Sequence, residues 1–221
     1  MFRFLVVSAF LSLAGAACAQ TAPSASDIAS YEGLHLAAHE GRVAEIDRLI
    51  AAGDDVNARD RVGRTPAHVA AFASRDDALT ALARGDADMN ALEDQIYDVV
   101  TIAAVANDPE LVSLAIRLGN RADLITSVYD GTALIAAAHL GHHEVVARLV
   151  AGGAPLDHVN NLGWTALIEA VILGDGGSDH VRTVGILVEA GADRSIPDRD
   201  GVTAHQHAMS RGYAGIVSIL E

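Results

Sequence analysis

A short apolar motif returns along this chain at an almost constant interval. Its first copy is Leu34-His35-Leu36-Ala37-Ala38, and every full copy keeps Ala at the fourth position. The later full copies lie at 67–71, 100–104, 134–138 and 167–171, and a shortened copy lies at 203–208. Successive full copies are 33, 33, 34 and 33 residues apart. Such a period predicts a solenoid, in which each unit packs on its neighbours because it cannot bury its apolar face alone.

Further motifs accompany this period. Two of them are Thr65-Pro66-Ala67-His68 and Gly141-His142-His143-Glu144-Val145-Val146. Two more are Gly53-Asp54-Asp55-Val56-Asn57-Ala58 and Gly191-Ala192-Asp193. From about Ser30 to the C-terminus, the chain therefore resembles the ankyrin repeat family. This resemblance implies an all-α solenoid of stacked helix-turn-helix units joined by β-hairpin loops, with about five to six repeats.

Residues at the predicted helix ends agree with this fold. Threonines stand where a hydroxyl caps the first helix of a unit, at Thr65, Thr132, Thr165 and Thr203. Three departures interrupt the pattern. Asp98 replaces the capping Thr in the third unit, Asp86 stands where the closing Gly of the second unit is expected, and residues 175–179 are an insertion in the fifth.

The pattern divides the chain into a signal peptide at 1–19, a linker at 20–29 and a repeat domain at 30–221. We number the units one to six. Their approximate bounds are 30–60, 61–93, 94–127, 128–160, 161–198 and 199–221.

The N-terminus has the layout of a secretory signal peptide. Arg3 provides a basic start, an apolar run follows at 4–13, and Ala17-Cys18-Ala19 precedes the expected cleavage site. We therefore expect export to a bacterial periplasm, with secretion beyond the cell as an alternative. The alternative is a lipoprotein anchored through Cys18, the only cysteine, although Gly15 stands where a lipobox usually carries an aliphatic residue.

The charge of the chain limits its partners. The formal net charge is −14, and removal of Arg3 with the signal peptide makes it −15. Such a chain is expected to repel nucleic acid and anionic membranes and to favour a basic or neutral partner. All 15 basic residues are Arg, so a Schiff-base lysine and a P-loop lysine are excluded.

The sequence contains no recognisable catalytic or metal-binding motif, so we expect neither an enzyme nor a cofactor. The ten histidines include His35 and His68, which the family resemblance makes structural, and no three converge by spacing. A metal- or redox-linked accessory protein that supports a periplasmic enzyme remains the alternative function.

The leading hypothesis is a protein-binding module, such as a scaffold, an inhibitor or an immunity-type protector. The resemblance places certain residues on the concave face or on the hairpins beside it, where aromatic and apolar side chains typify an interface centre. The candidate partner-binding residues are Arg64, Phe72, Tyr97, Val105, Tyr129, His139, Leu140, Trp164, Ile172 and Leu173. Self-association through the apolar C-terminal unit is a further possibility for the partner.

Overall fold

A computed structural model describes residues 20–221. The predicted signal peptide and Cys18 lie outside the described residues. One short helix, α1 (Ala25–Ala29), precedes six helix pairs, one pair in each predicted unit. The pairs are α2 (Gly33–Glu40) with α3 (Val43–Ala51), α4 (Pro66–Phe72) with α5 (Asp76–Arg84), α6 (Val99–Val105) with α7 (Pro109–Arg117), α8 (Ala133–Leu140) with α9 (His143–Ala151), α10 (Ala166–Ile172) with α11 (Ser178–Glu189), and α12 (Ala204–Arg211) with α13 (Ala214–Leu220).

The pairs stack into the predicted solenoid. The first helices form one continuous row from α2 through α4, α6, α8 and α10 to α12. The small residue shared by all motif copies makes this close approach possible, because Ala37, Ala70, Ala103, Ala137 and Ala170 are completely buried between neighbouring helices. Between Gln20 and Glu221, no helix is both long enough and apolar enough to cross a membrane.

The first helices begin at the predicted caps. The hydroxyl oxygens of Thr132, Thr165 and Thr203 accept hydrogen bonds from the backbone N–H three residues later. In unit three Asp98 takes this role, and its carboxylate accepts from the N–H of Thr101 at 2.8 Å. The absence of a Thr therefore leaves the start of α6 capped.

Loops between the described units carry several backbone hydrogen bonds in place of regular strands. In the loop leading into unit two the N–H of Asp60 donates to the carbonyl of Arg64, and in the loop leading into unit five Asn160 donates to Trp164 in the same way. Among the described residues the only strand-like pairing is an isolated bridge between Pro197 and Thr203. Asp86 adopts the left-handed conformation, with φ of 64°, that its position requires, and Asp tolerates this region better than most side chains.

Histidine rings join neighbouring units. His35 bonds to the carbonyl oxygen of Arg64 at 2.9 Å, and His68 bonds to that of Tyr97 at 3.1 Å. The ring of His142 bonds to the carbonyl oxygen of Ala104 at 2.9 Å. These contacts give the three rings structural roles, since each satisfies backbone of an adjacent unit.

Residues 20–29, which the sequence presents as a linker, are folded onto the first units. Ser24 caps α1, and Asp27 is buried. The Asp27 carboxylate pairs with Arg61 and lies 3.5 Å from the guanidinium of Arg64. The segment therefore belongs to the packed domain, because its carboxylate neutralises arginines of the next hairpin.

Candidate partner-binding surface

A cavity opens on the concave face where units three, four and five meet. Its walls come from helices α6, α8 and α10 and from the loops that precede them. The principal lining residues are Tyr97, Thr101, Val105, Thr126, Ser127, Tyr129, Ile135, His139, Asn160, Leu162, Glu169 and Leu173. The space measures about 40 Å³, which suits two or three water molecules or the end of one side chain.

A single carboxylate lies within this largely apolar lining. Glu169 occupies the first half of α10 and is only 5% exposed. The side-chain amide of Asn160 donates to Oε1 of Glu169 at 2.8 Å. The other carboxylate oxygen, Oε2, is buried without a hydrogen-bond partner. Burial raises the pKa of Glu169 to about 7, although the bond from Asn160 acts in the opposite direction.

His139 lies on the opposite helix, α8, with Nδ1 3.8 Å from Oε2 of Glu169. Burial, together with the charge of His180, lowers the pKa of His139. His180 lies on α11. Its ring bonds to the carbonyl oxygen of His139 at 3.0 Å and to the carboxylate of Asp175 at 2.9 Å. Because His139 resists protonation, it neutralises the Glu169 carboxylate poorly at neutral pH.

Beside the cavity, the hairpins leading into units four and five expose apolar side chains. Val128 is 63% exposed and Tyr129 is 37% exposed. Five of the six large hydrophobic side chains most exposed in residues 20–221 lie on these loops, at Ile125, Val128, Tyr129, Val159 and Leu162. Asn161 joins the two loops, since its N–H and side-chain amide donate to the carbonyls of Tyr129 and Val128. The loops thus present one continuous apolar rim, which we call the apolar rim below.

The structure brings together five of the ten predicted binding residues. The five that line the cavity are Tyr97, Val105, Tyr129, His139 and Leu173. The other five lie elsewhere: Phe72, Trp164 and Ile172 pack partly buried against the core, Leu140 is half-buried outside the cavity lining, and Arg64 is buried.

The structure contradicts the predicted binding role of Arg64, because this side chain is 3% exposed and lies inside the fold rather than at a hairpin tip. Its guanidinium lies between Asp27 and Asp60, at 3.5 and 3.6 Å, and donates to the carbonyl of Thr21 at 2.7 Å. It also lies over the ring of Phe72, 5.7 Å from the ring centroid. The N-terminal segment therefore covers this arginine and satisfies its charge.

Sequence reasoning missed Glu169 and its partner Asn160. Glu169 lies four residues after the cap of its first helix, where units two to four carry Val69, Ile102 and Ala136. An acid in this otherwise apolar column is a signal that a comparison of the units, residue by residue, would have revealed.

Within residues 20–221, no group of three or more His, Cys, Asp or Glu side chains is arranged to hold a metal ion. At the C-terminal unit, Met209 is 59% exposed beside α13. Nothing in the described fold covers this side chain, and self-association there stays a prediction.

Comparisons with known proteins agree with this architecture. The family model described as ankyrin repeats in three copies matches residues 100–198, and the one described as ankyrin repeats in many copies matches residues 34–83. The chain is 31% identical to YahD of Escherichia coli K12, an ankyrin repeat protein by its name, over 84% of this chain and 92% of that protein.

Two solved structures are also similar. An ankyrin repeat domain from Acinetobacter baumannii AYE superposes with a TM-score of 0.78 and 39% identity, covering 85% of this chain and 95% of that one. The ankyrin repeat protein EF0377 gives a TM-score of 0.78 and 32% identity, covering 86% of this chain and 98% of that one.

Proposed function

Because the chain belongs to the ankyrin repeat family, we propose that it is a non-enzymatic module that binds another protein against the concave face of units three to five. One observation carries this proposal: the cavity over Glu169 and the apolar rim lie side by side and share Tyr129 and Leu162. Solenoids of this kind use extended concave surfaces for binding. An exposed apolar patch beside a concave pocket marks an interaction site.

The composition of this surface suits a protein partner. Tyr97 and Tyr129 offer large side chains that combine apolar area with a hydroxyl, and such residues are enriched at interface centres. Val128, Val159 and Leu162 extend the apolar area towards solvent. A small molecule in the cavity would leave the apolar rim uncovered, whereas a protein segment lying across this surface would cover both the cavity and the apolar rim.

An affinity capture tests this function. The bait is the full chain, beside a Val128→Asp/Leu162→Asp variant that places two charges on the apolar rim. The matched control is Met209→Asp/Ser218→Asp, which charges two exposed positions of the C-terminal unit instead. We expect one protein to be retained by the wild type and the control variant and lost by the rim variant. Loss only in the C-terminal variant would move the interface to unit six.

We also propose that the protein acts after export across a membrane. The support is the N-terminal pattern of residues 1–19, with a basic start, an apolar run and a small-residue cleavage site. N-terminal sequencing and intact mass of the protein from fractionated cells test this directly. A chain beginning at Gln20 supports cleavage, a chain beginning at an acylated Cys18 supports the lipoprotein, and a chain that retains Met1 overturns export by this route.

A further inference from the structure

We propose that the cavity over Glu169 receives the ammonium group of a lysine from the partner protein. This inference rests on the proposed function, because the lysine is presented by a bound protein segment. It adds the chemistry that selects the partner: a lysine that reaches the concave face between units three and five.

The buried carboxylate supplies the acceptor. Asn160 satisfies one oxygen of Glu169, whereas Oε2 is buried without a hydrogen-bond partner. The Glu169 side chain lines a cavity that opens to the surface. A buried polar atom without a partner destabilises the fold, and a charged one does so more strongly. A donor with a positive charge satisfies the oxygen and neutralises the carboxylate at once.

The size and walls of the cavity favour lysine. About 40 Å³ accommodates a compact ammonium group at the end of an alkyl chain. Val105, Ile135 and Leu173 provide apolar surface for the methylene groups, and Tyr97 and Tyr129 provide aromatic rings at the wall. Lysine side chains bury their stems in this way while the charged end makes polar contacts. The protein itself contains no lysine, so a lysine in this cavity comes from another molecule.

Comparison between units shows that the fold does not require an acid here. At the equivalent position of the first helix, units two, three and four carry Val69, Ile102 and Ala136. In unit six the equivalent residue is His207, and its ring is paired with the carboxylate of Asp198 at 2.7 Å. Only in unit five does the position combine a carboxylate with an open cavity. A buried ionisable group that destabilises the fold and faces a cleft is a candidate functional group.

Binding should depend on pH, because the lysine requires an ionised Glu169. The ionisable side chains at the cavity are His139 on α8 and the hydroxyls of Tyr97 and Tyr129. On the neighbouring helices, His180 of α11 pairs with Asp175, and His207 of α12 pairs with Asp198. Since the carboxyl titrates near pH 7, protonation should weaken binding below that pH.

Disulfide exchange with small thiols tests the chemistry of the cavity without knowledge of the partner. The protein is a Val105→Cys variant of the chain with Cys18→Ala, which leaves one cysteine on the cavity wall. It is equilibrated with equal amounts of bis(3-aminopropyl) disulfide and dibutyl disulfide, together with the matching thiols 3-aminopropanethiol and butanethiol, which differ at the tip by an ammonium or a methyl group. Attack of the introduced cysteine's thiolate on either disulfide forms a mixed disulfide on the protein and releases one small thiol. Intact mass spectrometry then measures how much of each thiol is attached.

We expect the amine to be captured at least tenfold over the alkyl thiol at pH 8. At pH 6 the preference should be about tenfold lower, because most Glu169 is then protonated. Glu169→Gln in the same protein should abolish the preference. The control cysteine replaces Ser74, which lies beside Asp76 and Asp77, and it reports any general attraction of cations to this acidic protein.

Equal capture of the two thiols at pH 8, or a preference that is unchanged by pH, overturns the inference. The comparison between pH 8 and pH 6 uses the unaltered Glu169, so it tests the inference even if the Glu169→Gln variant does not fold. A preference as large at the control cysteine also overturns it. A protein captured through the apolar rim, together with no amine preference, would leave the proposed function standing and remove only the lysine.

Discussion

Asn160 donates a 2.8 Å hydrogen bond to one oxygen of Glu169, while the other oxygen of the same carboxylate is buried without a hydrogen-bond partner. This asymmetry gives the concave face its distinctive chemistry. Asn160 orients the side chain, and its own amide oxygen is fixed by the backbone N–H groups of Leu162 and Trp164, each at 3.0 Å. The hairpin of unit five thereby holds Glu169 in one position.

Glu169 should make the protein less stable as the pH rises. Its folded pKa of about 7 lies above the ordinary value of 4.5, so the folded state binds more protons than the unfolded state between these values. Stability is therefore lost as the pH rises from about 4.5 to 7. From pH 4 to pH 8, Glu169→Gln should gain about 3 kcal/mol relative to wild type. Urea unfolding at both pH values measures this difference, with the replacement of an exposed acid on α9, Glu144→Gln, as the control. A constant difference would contradict the account.

His68 should act in the opposite direction at acid pH. Burial lowers its pKa to about 4, below the ordinary 6.5, so the unfolded state binds the proton first as the pH falls. Stability is lost between about pH 6.5 and pH 4, by up to about 3 kcal/mol. His68→Gln copies unit six, where Gln206 completes a capping box with Thr203, and should flatten this part of the profile. Melting curves of both proteins from pH 7 to pH 4 check it, and parallel curves would refute the assignment.

Asp27→Asn should destabilise the N-terminal units, because it removes a charge from beside the buried guanidinium of Arg64. A loss of about 2 kcal/mol is expected, since Asp60 remains as a second partner. The matched control is Asp47→Asn, which breaks an exposed pair with Arg84 and should cost less than about 1 kcal/mol. Equal losses in the two variants, measured by urea unfolding, would show that the N-terminal segment contributes little to the fold.

Much of the fold follows from the period and the caps. The motif copies locate the first helices of all six units, and the threonine and aspartate caps locate where most of them begin. The placement of Arg64 could not be read in the same way, because its partner Asp27 belongs to a segment outside the repeat. Register alone could place Tyr97 on a hairpin and Leu173 on the concave face. That they meet around Glu169 depends on how three neighbouring units stack, which no single unit encodes.

Site-specific photocrosslinking in cells of the natural host tests the central claim most directly. A photoreactive amino acid replaces Val128 on the apolar rim or, as the control, Glu144 on α9. Both side chains are exposed, so neither replacement should disturb the core. The account predicts a discrete crosslinked protein from position 128 and none from position 144. Crosslinks from position 144 alone, or from neither position, would contradict binding at the concave face of units three to five.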